Sequence, residues 1–153
     1  MSNDQKKVWI TGASSGIGKA VAEKFAKENW KVAISARREN LLNEMAKNEN
    51  IYAYPMDVTD SNRTQETFNK ILKDFKDIDL CIFSSGTYER KSEKGLSVEN
   101  VKTVMEVNFL GVVGCVKAVL INPGEIKVTL TLNFLKSKYI PWVKLFKEAF
   151  DAV

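Results

Sequence analysis

The sequence predicts one α/β domain in which a doubly wound parallel sheet carries helices on both faces. Short apolar runs suited to strands alternate with longer stretches whose apolar residues recur every three or four positions, as in amphipathic helices. The run 8–10 turns through glycines directly into a helical stretch, and the run 78–83 is apolar enough for the centre of a parallel sheet. A chain of 153 residues has the size of one domain.

Composition and charge narrow the class of partner. The chain is 44% hydrophobic and 27% charged, and its net charge of +4 is spread among interleaved acidic and basic residues. This balance suits a small anionic molecule and does not indicate nucleic acid. The sequence contains no histidine, which removes the commonest metal ligand and general base, and we expect no metal site.

The sequence also favours a cytoplasmic protein without a membrane partner. The first seven residues are not followed by the apolar core of a signal peptide, and no apolar run approaches membrane-spanning length. Cys81 and Cys115 both lie in apolar stretches, which favours buried thiols in a reducing compartment.

The segment 11–18, Thr-Gly-Ala-Ser-Ser-Gly-Ile-Gly, has the features of a phosphate-binding turn. Glycines let the backbone bend and approach an anion, and the first N–H groups of the following helix then point at it. The hydroxyls of Ser14 and Ser15 add further donors. The spacing Gly-x-x-x-Gly-x-Gly, between a strand and a helix, resembles the cofactor turn of the short-chain dehydrogenase/reductase family. The alternative is a tight turn without a ligand. The resemblance implies that the cofactor's pyrophosphate side contacts Gly12, Ser14, Ser15, Gly16, Ile17 and Gly18.

The end of the second strand, predicted over 30–36, favours NADP over NAD. Ala36 stands where NAD-binding proteins of this fold carry a carboxylate for the ribose hydroxyls, and Arg37 and Arg38 follow it. A guanidinium can bind a 2′-phosphate through paired, charge-assisted hydrogen bonds, whereas a carboxylate would repel it. The alternative is that both arginines are merely solvated at the start of a helix.

Later strand ends complete the predicted site. After a third strand at 51–56, the resemblance implies that Asp57 and Val58 border the adenine ring, while Thr59 or Asp60 caps the next helix. At the end of the fourth strand, Phe83-Ser84-Ser85-Gly86 stands in place of the family's Asn-Asn-Ala-Gly, and we expect Ser84, Ser85 and Gly86 along the nearer ribose.

A long helix from Ser97 to Leu120 carries the predicted catalytic residue. Its segment 105–111, Met-Glu-Val-Asn-Phe-Leu-Gly, resembles the family helix whose asparagine holds a helix kink and a water, and that residue is Asn108 here. We expect an inward face made of Val101, Val104, Met105, Asn108, Phe109, Val112, Val113, Val116 and Leu120.

The resemblance is good over 6–120, weak over 121–131 and absent beyond. The family's catalytic Ser and Tyr-x-x-x-Lys segment does not occur between the long helix and Pro123-Gly124. Tyr139 precedes Lys144 by five residues with Pro141 between them, so it is a poor replacement acid. We expect residues 121–153 to form a new edge strand at 126–134 and a last helix from Pro141.

The predicted strand order is three, two, one, four, with a fifth strand beside the fourth. The predicted function is that of an NADP-binding short-chain dehydrogenase/reductase with impaired turnover. The alternatives are a non-catalytic binding or interaction module, which pairs with itself or with a full-length relative, and a non-functional deletion product.

Overall fold

The computed structural model describes residues 5–88 and 97–121. The predicted strand at 126–134, the last helix and Tyr139 lie outside these residues. The described elements, in chain order, are β1 (Lys7–Thr11), α1 (Gly16–Lys27), β2 (Lys31–Ser35), α2 (Glu39–Met45), β3 (Ile51–Ala53), α3 (Ser61–Phe75), β4 (Leu80–Phe83), α4 (Val98–Met105), a π turn (Glu106–Leu110) and α5 (Gly111–Leu120).

The four described strands form one parallel sheet in the order β3-β2-β1-β4, which confirms the predicted order. Trp9 of β1 pairs with Ala33 of β2 on one side and with Cys81 of β4 on the other. The chain builds outward from β1 to β3 and then returns to place β4 on the opposite side of β1. In open α/β sheets such a reversal leaves a crevice at the carboxyl ends of the strands.

Each face of the sheet has its own core. One core is rich in aromatic residues and joins Trp9 to Phe68 of α3, Phe83 of β4 and Val119 of α5. The other is aliphatic and joins Ile10 and other strand residues to α1 and α2. Helices therefore cover both faces, as the alternating pattern predicts.

The third strand is shorter than predicted, although its hydrogen bonds to β2 continue beyond Ala53. The N–H of Tyr54 donates to the Ile34 carbonyl at 2.8 Å, and the N–H of Met56 donates to the Ala36 carbonyl at 3.1 Å. Pro55 has no N–H, but it lies between these two donors, so it removes no hydrogen bond between this segment and β2. The loop that follows β3 is thereby held against the end of β2.

The predicted inward face of the long helix is wrong in part. Val101, Met105, Val113 and Leu120 are exposed, and the buried stripe of α5 is Gly111, Val112, Cys115, Ala118 and Val119. The reason is that α5 packs against α3 along this one stripe, while the described residues leave α4 without a buried side chain. In α1 the buried residues are Gly18, Ala22 and Ala26, while Ile17 in the first turn is 62% exposed.

Val98–Leu120 is long and apolar enough to cross a membrane by length and composition alone. In the structure, the buried stripe of its α5 part belongs to the aromatic core, and 33% of the apolar window is buried. A single helix of this kind is weak evidence for a membrane span, since core helices pass the same test.

Candidate functional site

A cleft of about 1010 Å³ lies at the carboxyl ends of the strands, where the strand order reverses. Its walls come from the turn after β1, the end of β2, the loop after β3, the segment after β4 and the π turn. The lining residues are Gly12, Ser14, Ser15, Ile17, Gly18, Ala36, Arg37, Arg38, Met56, Asp57, Val58, Phe83, Ser84, Ser85, Gly86, Thr87, Tyr88, Val107, Asn108 and Val112.

The turn between β1 and α1 depends on glycine for two separate reasons. Gly12 and Gly16 have positive φ angles of 71° and 57°, which other residues adopt only with strain. A Cβ on Gly12 would lie 2.6 Å from the Ser84 carbonyl oxygen, and one on Gly18 would lie 2.5 Å from the Gly12 carbonyl oxygen. Gly12 and Gly18 therefore allow close backbone packing. Gly16 has open space around it and does not line the cleft, so its observed contribution is conformational.

The two serines of the turn are tied to the end of β2. Arg38 Nη2 donates to Ser14 Oγ at 2.9 Å and to Ser15 Oγ at 2.6 Å, and Arg38 Nε also donates to Ser14 Oγ at 3.2 Å. The N–H of Ala13 donates to the Ser35 carbonyl at 3.3 Å, and Trp9 Nε1 donates to the buried Ser35 Oγ at 3.0 Å. The turn and the arginine-bearing strand end thus form one connected unit.

Arg37 lies beside Arg38 but differs from it in its contacts. Both arginines are exposed and line the cleft, next to Ala36. Within residues 5–88 and 97–121, the Arg37 guanidinium has neither a hydrogen bond nor an ion pair. It therefore presents its full set of N–H donors and its positive charge to the cleft.

Asp57 and Val58 lie on the cleft wall formed by the loop after β3. Asp57 Oδ1 accepts hydrogen bonds from the N–H and the hydroxyl of Thr59, at 3.0 and 2.9 Å, while Asp60 caps α3 by accepting from the Arg63 N–H. The predicted helix cap is therefore confirmed at Asp60. Val58 is only 7% exposed, because α5 approaches it so closely that a Cβ on Gly111 would lie 2.7 Å from its side chain.

Ser84, Ser85 and Gly86 form the cleft wall after β4. The Ser84 hydroxyl donates to the Thr11 carbonyl at 2.8 Å, so it ties β4 to β1 beneath the glycine turn. A Cβ on Gly86 would meet only Asn108 Oδ1, at an ordinary 3.6 Å. Described neighbours therefore leave room for a side chain at Gly86, unlike at Gly12.

Asn108 lies in the π turn, where the family resemblance implies a helix kink. Its Oδ1 accepts from the Thr87 N–H at 2.7 Å, and its Nδ2 donates to the Thr87 carbonyl at 2.9 Å. This pair of bonds fixes the segment after β4 against the π turn. The asparagine thereby joins the two cleft walls at the end remote from Arg37 and Arg38.

The structure thus brings every predicted site residue except Gly16 to the lining of one cleft, and their roles in binding remain predictions. Sequence reasoning gave no role to Thr87 and Tyr88, which also line the cleft. Their position directly after Gly86 is the signal that could have found them. Within the described part of the chain, no group of three or more acidic or cysteine side chains could hold a metal ion.

Together, the fold and the cleft define a doubly wound α/β protein with its site at the reversal of strand order. The chain belongs to the short chain dehydrogenase family, whose model matches residues 6–124. It is 32% identical to human "Dehydrogenase/reductase SDR family member 7", over 86% of this chain and 46% of that protein. It is also 32% identical to the "NADP-dependent 3-hydroxy acid dehydrogenase" of Schizosaccharomyces pombe, over 76% of this chain and 48% of that protein.

Solved structures of the family show the same fold. "ElxO with NADP Bound" superposes with a TM-score of 0.69 at 31% identity, over 76% of this chain and 49% of that one. A polyketide ketoreductase, "F189W Actinorhodin Polyketide Ketoreductase with NADPH", gives a TM-score of 0.71 at 26% identity, over 76% of this chain and 47% of that one. The chain therefore spans about half the length of these relatives.

Proposed function

We propose that this chain binds NADP in the cleft, as the cofactor-binding part of a short-chain oxidoreductase. The observation that carries the proposal is the pairing, on one cleft, of a glycine turn with Arg37 and Arg38 where NAD-binding proteins carry a carboxylate. The relative named as NADP-dependent and the neighbours holding NADP or NADPH support the same cofactor. NAD is the less favoured ligand.

The residues fit the shape of a dinucleotide. The glycine turn would hold the pyrophosphate, and Arg37 would face the 2′-phosphate, with Arg38 beside it bonded to the serines of the turn. Asp57 would accept from the adenine amino group through Oδ2, which has no hydrogen bond to the residues that the structure describes. At the other end, Gly86 would let the cofactor approach the backbone, since no described protein atom occupies the space of its missing side chain.

Turnover is a separate matter from binding. A bound NADPH supplies a hydride, and a carbonyl substrate then needs a proton donor at its oxygen. The family's Tyr-x-x-x-Lys does not occur in these 153 residues. Both polar atoms of the Asn108 amide are hydrogen-bonded to the Thr87 backbone. Asn108 therefore orients the cleft wall and does not supply a proton. We therefore expect these residues alone to bind NADP without reducing carbonyl compounds.

Two further observations support proposals on the compartment and on the protein partner. Both cysteines of the chain are free and buried, which supports a reducing compartment such as the cytoplasm. Exposed apolar side chains on α4, including Val98 and Met105, support pairing with a second copy or with a full-length relative. Sedimentation of the protein alone and with such a relative tests the pairing. We propose no nucleic-acid or membrane partner.

Thermal unfolding tests the proposal directly. At a hundred times Kd, a ligand adds about 2.7 kcal/mol to stability, and each kcal/mol raises Tm by about 2–4 °C in a domain of this size. We expect NADP to raise Tm by about 5–10 °C and NAD to raise it less. An Arg37→Glu variant should lose the difference, because its carboxylate repels a 2′-phosphate.

Equal shifts with NADP and NAD in the wild type would refute the choice of cofactor. Oxidation of NADPH that depends on an added carbonyl compound would refute the expected lack of turnover. In that case Tyr88, whose side chain lines the cleft and is 67% exposed, is the phenol to replace first.

A further inference from the structure

Ser15, the residue directly before α1, does not cap the helix with its side chain. Ser15 occupies the N-cap position with extended backbone angles, yet its side chain makes no hydrogen bond to the first turn. An N-cap serine ordinarily accepts from the backbone N–H two or three positions on, which here belongs to Ile17 or Gly18. Both N–H groups belong to the glycine turn, which the proposed function assigns to the cofactor's pyrophosphate.

The Ser15 hydroxyl is instead held by Arg38. The Arg38 Nη2 donates to Ser15 Oγ at 2.6 Å, and the same guanidinium holds Ser14 Oγ through two N–H groups. A guanidinium is a rigid planar fork, so one side chain can fix two oxygens at once, which an ammonium cannot do as well. Ser14 is nearly buried, which anchors the fork on the turn.

We propose that Arg38 is a positioning residue that keeps the start of α1 open to an anion. By holding the Ser15 oxygen on the β2 side, it prevents that oxygen from occupying the N–H groups of Ile17 and Gly18. The inference rests on the proposed function and assigns the two arginines different parts. Arg38 sets the affinity for the pyrophosphate, which NADP and NAD share, whereas Arg37 provides the discrimination for the 2′-phosphate.

The two parts have different signatures in binding. Without the Arg38 guanidinium, the Ser15 hydroxyl is free to cap the helix. It then competes with a phosphate for the N–H groups of Ile17 and Gly18. An N-cap bond of ordinary strength corresponds to roughly fivefold in an equilibrium constant. Loss of Arg38 should therefore weaken NADP and NAD by about the same factor, roughly fivefold, and leave their ratio unchanged. Loss of Arg37 should weaken NADP alone.

The experiment is a mutant cycle between Arg38 and Ser15. Calorimetric titration with NADP and with NAD is carried out on the wild type, Arg38→Lys, Ser15→Ala and the double variant, with Arg37→Lys as the matched control. Lysine keeps the charge and removes the fork. We expect Arg38→Lys to lose roughly fivefold for both nucleotides, and the double variant to bind within about twofold of Ser15→Ala alone.

A second readout reports on the turn without any nucleotide. The amide NMR signals of Ile17 and Gly18 should shift in Arg38→Lys, because Ser15 then caps them, and should return in the double variant. Inorganic pyrophosphate should shift the same two signals in the wild type more than in Arg38→Lys. A general loss of folding would instead spread changes over the whole spectrum and would not be reversed by removing Ser15.

Three results would overturn the proposal. One is a loss in Arg38→Lys that is confined to NADP, which would make Arg38 a ligand of the 2′-phosphate. Another is a double variant whose losses simply add, and the third is unchanged Ile17 and Gly18 amide signals in Arg38→Lys. If the wild type bound neither nucleotide, the proposed function would fail by itself, and the amide signals would still decide the part played by Arg38.

Discussion

The two ends of the cleft are built in different ways. The end at the glycine turn is held by backbone packing, because Gly12 and Gly18 approach neighbouring carbonyl oxygens more closely than any side chain allows. The end at the π turn is held by one side chain, since Asn108 makes both hydrogen bonds to Thr87. The first end is therefore fixed by steric exclusion, and the second by two polar contacts that a single substitution can remove.

The largest expected effect is at Gly12. Alanine there would combine a strained positive φ, about 1–2 kcal/mol, with backbone overlap worth about 1–3 kcal/mol. We expect Gly12→Ala to lower the free energy of unfolding by about 2–5 kcal/mol and to remove the stabilisation by NADP. Urea unfolding with and without NADP measures both effects.

Gly16→Ala is the matched control, because Gly16 has a similar φ but nothing within 4 Å of its missing Cβ. It should cost only about 1–2 kcal/mol. An equal loss in the two variants would show that conformational strain alone, and not close backbone approach, governs the turn.

A smaller effect is expected at the other end. Asn108→Ala removes both bonds to the Thr87 backbone and should cost about 1–3 kcal/mol, as for partly buried groups left unsatisfied. Asn108→Asp keeps the acceptor for the Thr87 N–H but sets a carboxylate oxygen against the Thr87 carbonyl, so it should cost at least as much. In both variants we expect the Tm shift caused by NADP to persist, because the glycine turn is intact. A variant that unfolds normally but no longer responds to NADP would show that the two ends are coupled.

The smallest effect at neutral pH concerns Cys81 and Cys115, which lie in the aromatic core. Burial raises the pKa of each thiol from 9.0 to about 12, and for Cys115 the neighbouring Cys81 adds to the rise. Since the unfolded chain releases these protons at lower pH than the folded protein, the thiol contribution to stability is complete below pH 9 and declines as pH rises toward 12.

The measurement is urea unfolding across the alkaline range, with Cys115→Ala as the comparison. The alanine variant should show a shallower loss of stability above pH 9, whatever its stability at neutral pH. Thiol reagents should also label the native protein slowly and the unfolded protein quickly. Rapid labelling of the native protein at neutral pH would contradict the buried, protonated state.

The sequence was most informative where local geometry alone fixes the structure. Gly12, Gly16 and Gly18 lie within one turn, and their backbone requirements follow from their own spacing, so the turn was predictable. The strand order was predictable from the family resemblance and not from any local pattern. The π turn was not predictable from periodicity, although the family resemblance pointed to a kink at Asn108. The exposed side of the long helix was also missed, because apolar spacing cannot show which sides of a helix another element covers.

Contacts between distant side chains were equally hidden. The Arg38 bonds to Ser14 and Ser15 join residues separated by more than twenty positions, and no local pattern encodes them. The same holds for the bond from the Ser84 hydroxyl to the Thr11 carbonyl. Such bonds depend on the register of strands that meet only after the sheet has formed.

The π turn at Glu106–Leu110 makes the spacing between Asn108 and the core sensitive to chain length. A π turn holds more residues than a turn of α-helix, and each residue of an α-helix rotates the chain by about 100°. Deleting one residue here would convert the π turn into regular α-helix. The rotation that follows would turn Cys115 and Val119 away from α3, or else turn Asn108 away from Thr87. The surplus residue thus acts as a spacer that keeps an anchored amide and a buried stripe in phase.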